Sequence, residues 1–428
     1  VRRGRGVRRA RGRAGRRLLR PGAGGAHARD TGVVLTAAPR GVLAALCVTV
    51  TISYGALYYA FAVLAPTITA DTGWSMTAIT AAFSLGLLVS GLVGVVAGRT
   101  IQAEGPRRAM VAGAVVGAAG LGMVAGASSY LWFVVAMVLC GAGAAGLFYA
   151  PAFAALTHWY GAGRVRALTT LTLVAGFAST IFAPLTTALA DLTSWRTTYA
   201  VLAVLLLVVA VPTHAIALHH PWPAHTDTEH VTPDREVLRS PAFVLTAAGA
   251  TLTKLAMFAA LVALIPLLVG RGMTPTLAAW ALGLGGAGQV IGRVAFPRLT
   301  AVTNVRQRVL WGTTAMALTT LALAVVPGPA LLLIGLAMVA GAARGVYTLV
   351  GATLVTDLWG PERYAAINGV LGAPISVATA LGPFAGAWIA ELTGGYPETF
   401  AVLAALAAVG SALSVLAVRR APLAAAVA

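Results

Sequence analysis

Apolar runs recur along the chain from residue 41 almost to its end, each closed by a short polar break. Most are about 20 residues long, the length a helix needs to cross the hydrocarbon core of a bilayer. The pattern predicts twelve helices, starting near residues 41, 75, 109, 130, 165, 197, 242, 276, 308, 330, 364 and 397. The period-2 alternation of a membrane barrel is absent, so the expected class is an all-α membrane protein. The longest polar break, "HHPWPAHTDTEHVTPDREVLRS" (219–240), separates two sets of six. The expected organisation is a six-helix bundle over 41–218, a cytoplasmic linker loop over 219–240, a second bundle over 241–418 and a C-terminal tail over 419–428.

The two sets resemble each other. "THWYGAGRVRALT" (157–169) aligns with "TDLWGPERYAAIN" (356–368), and Pro184 and Pro383 fall at the same offset. "VLAP" (63–66) matches "ALIP" (263–266). Two parallel six-helix repeats imply a binding site at the midplane between them, reached alternately from each side.

Composition agrees: 59% of residues are hydrophobic, 10% are charged, and mean hydropathy is +0.86. The net charge of +18 would suggest nucleic acid if it were spread over a surface, but twelve Arg lie in residues 1–40. That stretch has no apolar core after its Arg pairs, so it reads as a disordered tail or an upstream-called start, not a secretory signal. No nucleic-acid partner is expected. With both termini cytoplasmic, the inner loops hold fourteen Arg, including Arg99, Arg107, Arg108, Arg164, Arg166, Arg293, Arg298, Arg419 and Arg420. The outer loops hold Arg196 and Arg271, the bias expected of an inner-membrane, multi-pass chain.

Two cations remain inside spans, Lys254 and Arg344. Lys254 is 13 residues past Pro241 and Arg344 is 14 past Ala330. At 1.5 Å per residue both sit about 20 Å in, near mid-depth. Such a charge costs roughly 3 kcal/mol on insertion scales. No Asp or Glu is expected at that depth, so the core is formally cationic and suits an anion. A guanidinium fork matches a carboxylate and an ammonium adds a point charge. The repeat places Tyr54 opposite Lys254, Tyr58 lies one turn on, and Tyr347 shares a helical face with Arg344. The bland alternative is that each cation bonds carbonyls or water and holds helices together. His219, His220, His225 and His230 read as a solvated loop, not a metal site, and no "GxxxxGK[ST]" occurs. No cofactor, metal or catalytic residue is expected.

Twelve spans in two parallel halves, with the loop "GRTIQAEGPRR" (98–108) after helix 2, resemble the major facilitator superfamily. Gly98, Gly105, Arg107 and Arg108 match that family's loop signature, while Gln102 stands where the family has Asp. "DTGWS" (71–75) and "GVYTLVGATLVTDLWG" (345–360) resemble its bacterial monocarboxylate-porter-like branch. That branch's members carry a lysine in helix 1 and an Asp–Arg pair in helix 8; helix 1 here has no lysine, and no mid-depth Arg is expected in helix 8. The resemblance implies that helices 1, 4, 7 and 10 line the central cavity. It also implies a monomeric secondary transporter for a small organic anion, working by alternating access. Efflux of hydrophobic compounds, or a non-transporting sensor or scaffold, are the competing readings. Pro184 and Pro383 are expected to bend their helices. "GAGAAG" (141–146) and "GAARG" (341–345) are expected to let helices pack closely.

Overall fold

A computed structural model of the chain describes residues 41–222, 235–360 and 363–421. The Arg-rich segment 1–40, most of the central loop with His225 and His230, and the end of the C-terminal tail lie outside the described residues. The described residues form twelve long helices and no strand.

Helices 1 to 6 are Val42–Thr72, Met76–Glu104, Pro106–Ala125, Tyr130–Tyr160, Arg164–Leu192 and Trp195–Ala217. After the short turn Arg235–Arg239 come helices 7 to 12. These are Pro241–Gly270, Pro275–Val302, Val305–Val325, Ala330–Trp359, Tyr364–Thr393 and Tyr396–Arg420. Eleven are long and apolar enough to cross a membrane. The exception is helix 8, which Gln289, Arg293 and Arg298 dilute.

Local chemistry sets the helix ends. The hydroxyls of Ser75, Ser129, Ser194, Ser240 and Thr274 each accept the backbone N–H three residues on, which satisfies an orphan donor at a helix start. Asn304 and Gln307 form a reciprocal capping box. Gly73, Gly105, Gly360 and Gly394 close helices 1, 2, 10 and 11 at positive φ, where a side chain would be strained.

Packing follows the doubled sequence. Helices 2 and 3 both press on helix 4, and helix 3 on helix 6; six helices later, 8 and 9 press on 10, and 9 on 12. Both small-residue stripes lie at these crossings. A methyl on Gly141 would strike the Gly86 carbonyl, and one on Gly341 would strike that of Gly285. Bare backbone is what allows the approach, and in lipid such dispersion contacts supply much of the association energy.

The halves meet through helices 5 and 8, 2 and 11, and 1 and 7. The two ends of the bundle can be named for Gly41 and Gly73, which flank helix 1. Toward the Gly73 end, Thr180 Oγ1 donates to the Gly283 carbonyl at 2.7 Å, Phe384 N–H to Ser84 Oγ at 3.1 Å, and Thr276 Oγ1 to Asp191 Oδ2 at 3.2 Å. Toward the Gly41 end the bridge is Arg293 Nη1, donating to the Thr172 carbonyl at 2.6 Å.

That bridge corrects the sequence reading. Arg293 is not a loop residue: helix 8 runs on to Val302, and Arg293 is only 9% exposed. The bundle interior therefore holds three cations, one more than the hydropathy pattern shows. Neither proline interrupts its helix. Pro184 lies within Ala178–Leu192, Pro383 within Tyr364–Thr393, and the break in helix 5 falls at Gly176–Phe177.

Candidate functional site

The three N-terminal helices nearest the centre are irregular at one level. In helix 1 the N–H of Ala60 bonds the Gly55 carbonyl five residues back, giving one wide turn over Gly55–Tyr59. The Phe182 ring fills the space where a Gly55 side chain would stand. Helix 4 breaks between Ala145 and Tyr149, where Phe148 is extended. Helix 5 breaks at Gly176–Phe177, where Phe177 N–H turns to the Val174 carbonyl. Irregular backbone at this depth is tolerated only where protein or a polar cavity satisfies it. The C-terminal counterparts, helices 7, 10 and 11, are unbroken over 30 residues each.

Between helices 1, 4 and 5 on one side and helices 7, 8 and 10 on the other lies a cavity of about 210 Å³. Tyr54, Tyr58, Tyr59 and Tyr149 line its N-terminal side; Lys254, Gln289, Arg293, Arg344 and Thr348 line the other. The wide turn presents Tyr58 and Tyr59 together, and the break in helix 4 presents Tyr149. Tyr54 stacks on Phe148, with ring centroids 4.1 Å apart, and leans on Tyr149 at 4.8 Å. Tyr58 meets Phe83 and Phe258 edge-on, and its buried hydroxyl has no hydrogen-bond partner.

The cations come from three helices. Lys254 Nζ lies 5.3 Å from the centroid of the Tyr347 ring and 6.0 Å from that of Phe258. Arg293 reaches the Thr172 carbonyl, which also accepts the Gly176 N–H beside the break, and leaves a buried Nε unpaired. Arg344 likewise has a buried, unpaired Nε. No carboxylate lines the cavity among the described residues. Orphaned donors around a polar space are costly unless water or a ligand accepts from them.

Four of the five sequence-derived site residues thus share this cavity: Lys254, Arg344, Tyr54 and Tyr58. Tyr347 does not line it. That ring is 4% exposed and packs with Met257, Met316 and Ala343 behind the lysine. The sequence reading missed Arg293, Tyr59, Tyr149 and Gln289. The available signal was spacing: Gln289 and Arg293 share a face of helix 8, one turn apart. Hydropathy misses this, because it scores the cation without its face.

The loop motif lies apart. Gly105 turns at φ 86°, with Trp222 against it. Arg107 donates to the Ala215 carbonyl at 2.9 Å and meets His219 Nδ1 at 2.8 Å. Arg108 pairs with Glu104 at 2.6 Å. Gly98 and His158 line a second, largely apolar recess of about 540 Å³, with Gln102 and Trp222.

A long-helix bundle of two six-helix repeats around a cavity lined by cations and tyrosines defines a membrane transporter fold. The chain matches the Major Facilitator Superfamily over residues 46–338 and 306–427, and it belongs to that family. It is 27% identical over 324 residues to monocarboxylate transporter 13 of Rattus norvegicus and equally to that of Bos taurus, with 72% of each chain covered. Its fold is similar to that of a bacterial homolog of the human lysosomal transporter Spinster in an inward-facing, unoccupied conformation. There the TM-score is 0.66 at 16% identity, covering 89% of this chain and 96% of that one. It is similar also to a point mutant of the nucleoside transporter NupG, with a TM-score of 0.73 at 12% identity, covering 88% and 99%. The chain is a multi-pass membrane protein of the transporter kind, and its resemblance to the monocarboxylate-porter-like branch stands.

Proposed function

We propose that the chain is a secondary transporter of small carboxylates, working by alternating access with both termini on the cytoplasmic side of the plasma membrane. The observation that carries this reading is the cavity itself: three cations and four tyrosines, with no carboxylate among its described lining residues. Arginine stays charged at any physiological pH, so the site is cationic whatever Lys254 does. Its volume, about 210 Å³, is below the roughly 300–1,000 Å³ typical of drug-sized ligands. Small substrates fit; bulky lipophilic cations do not, on either size or sign. The relatives' name makes monocarboxylates the first substrates to try. Arg293 supplies the helix 8 arginine that the branch resemblance calls for, with Gln289 one turn before it and no acid on that face.

In this reading the guanidiniums hold the carboxylate and the tyrosine hydroxyls donate to it. The segmented helices 1, 4 and 5 are where the N-terminal half yields as the halves rock. Uptake of labelled lactate, acetate and malonate into proteoliposomes tests it. Arg344→Ala should abolish uptake while leaving monodisperse protein. Unchanged uptake in that variant, or stabilisation of the wild type by lipophilic cations alone, would sink the reading.

A further inference from the structure

Helices 8 and 10 are clamped by bare backbone: a methyl on Gly285, Gly288 or Gly292 would press on the helix 10 backbone, and one on Gly341 or Gly345 on helix 8. Arg293 follows Gly292 directly, and Arg344 lies between Gly341 and Gly345. The two guanidiniums are therefore carried on one rigid helix pair, and both face the same cavity. Each keeps a buried Nε with no partner.

A single carboxylate can engage one fork fully. Even where it bridges both forks, its single negative charge leaves one guanidinium uncompensated in a desolvated space. Buried charges are tolerated when paired, and breaking a pair is far more costly than never forming it. Two permanently charged forks call for two carboxylates. Lys254 adds a third, point-like charge beside the two forks. The tyrosine hydroxyls and Gln289 can meet the remaining oxygens.

We propose that the cavity selects short dicarboxylates over monocarboxylates, with one carboxylate on Arg293 and the other on Arg344. This rests on the carboxylate-transport reading and narrows it. Arg293 would then divide its donors between the Thr172 carbonyl, which Nη1 already meets, and the ligand.

The test is a stabilisation and counterflow series on the full chain, using oxalate, malonate and succinate against acetate and lactate, with sulfate as a one-centred dianion. A dicarboxylate should act at a concentration at least tenfold lower than either monocarboxylate, and sulfate should be weaker than the best dicarboxylate. Monocarboxylates acting as well as dicarboxylates would overturn the inference while leaving carboxylate transport intact. Sulfate matching the best dicarboxylate would overturn the two-ended geometry. If no carboxylate acts, both readings fall.

Arg293→Gln should narrow the gap between malonate and lactate to less than threefold. An undiminished gap there would count against the assignment. Should that variant misfold, Arg293→Lys keeps the charge without the fork and should weaken malonate about tenfold more than lactate. Equal weakening of the two would overturn it.

Discussion

Arg293 Nη1 lies 2.6 Å from the carbonyl oxygen of Thr172, so a cation of helix 8 is bonded to backbone of helix 5, across the two halves. Charge-assisted bonds of this kind are short and roughly twice as strong as neutral ones. The acceptor lies in the last turn before the break in helix 5, where the backbone can give.

This bridge should restrict entry from the Gly41 end. A cysteine placed at Thr348, which lines the cavity, should react with a water-soluble maleimide about tenfold faster when Arg293→Gln is present. The factor corresponds to ~1.4 kcal/mol. Equal rates would show that the bridge does not gate the cavity.

Lys254 has an aromatic ring beside it and, among the described residues, no acid lining the cavity. Replacing a desolvated, unpaired ion by an apolar chain of similar length should stabilise the empty protein, by about 1–4 kcal/mol on the scale of buried ion replacements. Lys254→Met should therefore raise the melting temperature without ligand and reduce the further rise that malonate gives. A lower melting temperature in the variant would mean that the ammonium holds the bundle together.

The helix 8–10 crossing should be intolerant of bulk. Gly341→Val forces a side chain into the Gly285 carbonyl, whereas Gly351, on the same helix, has open space around it. Overpacking costs typically about 1–3 kcal/mol. Gly341→Val should lose monodisperse protein on size exclusion, while Gly351→Ala stays near wild type. Similar behaviour of the pair would place the true crossing elsewhere.

Emptying the cavity leaves its cations without a counter-charge among the described lining residues. An unpaired charge in low dielectric raises the energy of closing around nothing. Exchange should therefore outpace net flux. Vesicles preloaded with malonate are expected to take up labelled malonate at least tenfold faster than empty ones, and equal rates would argue for a carrier that returns unloaded.

Much of the architecture is legible in the one-dimensional pattern. Apolar runs of membrane length, polar breaks with serine, threonine and glycine at the turns, and the offset between "THWYGAGRVRALT" and "TDLWGPERYAAIN" determine the spans and their pairing. They do so because backbone in lipid must bond within its own helix, which leaves few folds for such a chain. The same pattern isolates Lys254 and Arg344, since a charge amid apolar residues stands out.

What the pattern misses is where one residue's face points. Arg293 lies only five positions before Arg298 near a helix end, and both look like a loop on hydropathy alone. Only the glycine-mediated approach of helices 8 and 10 turns Arg293 inward onto Thr172. Tyr149 and Tyr59 enter the site through a break and a wide turn, features fixed by neighbours such as Phe182 against Gly55. Tyr347, on the expected helix, is turned behind Lys254. The sequence by itself determined which helices exist and where unpaired cations lie along them. Tertiary packing decided which side chains share the cavity, because rotation about a helix axis is set by the neighbours it must fit.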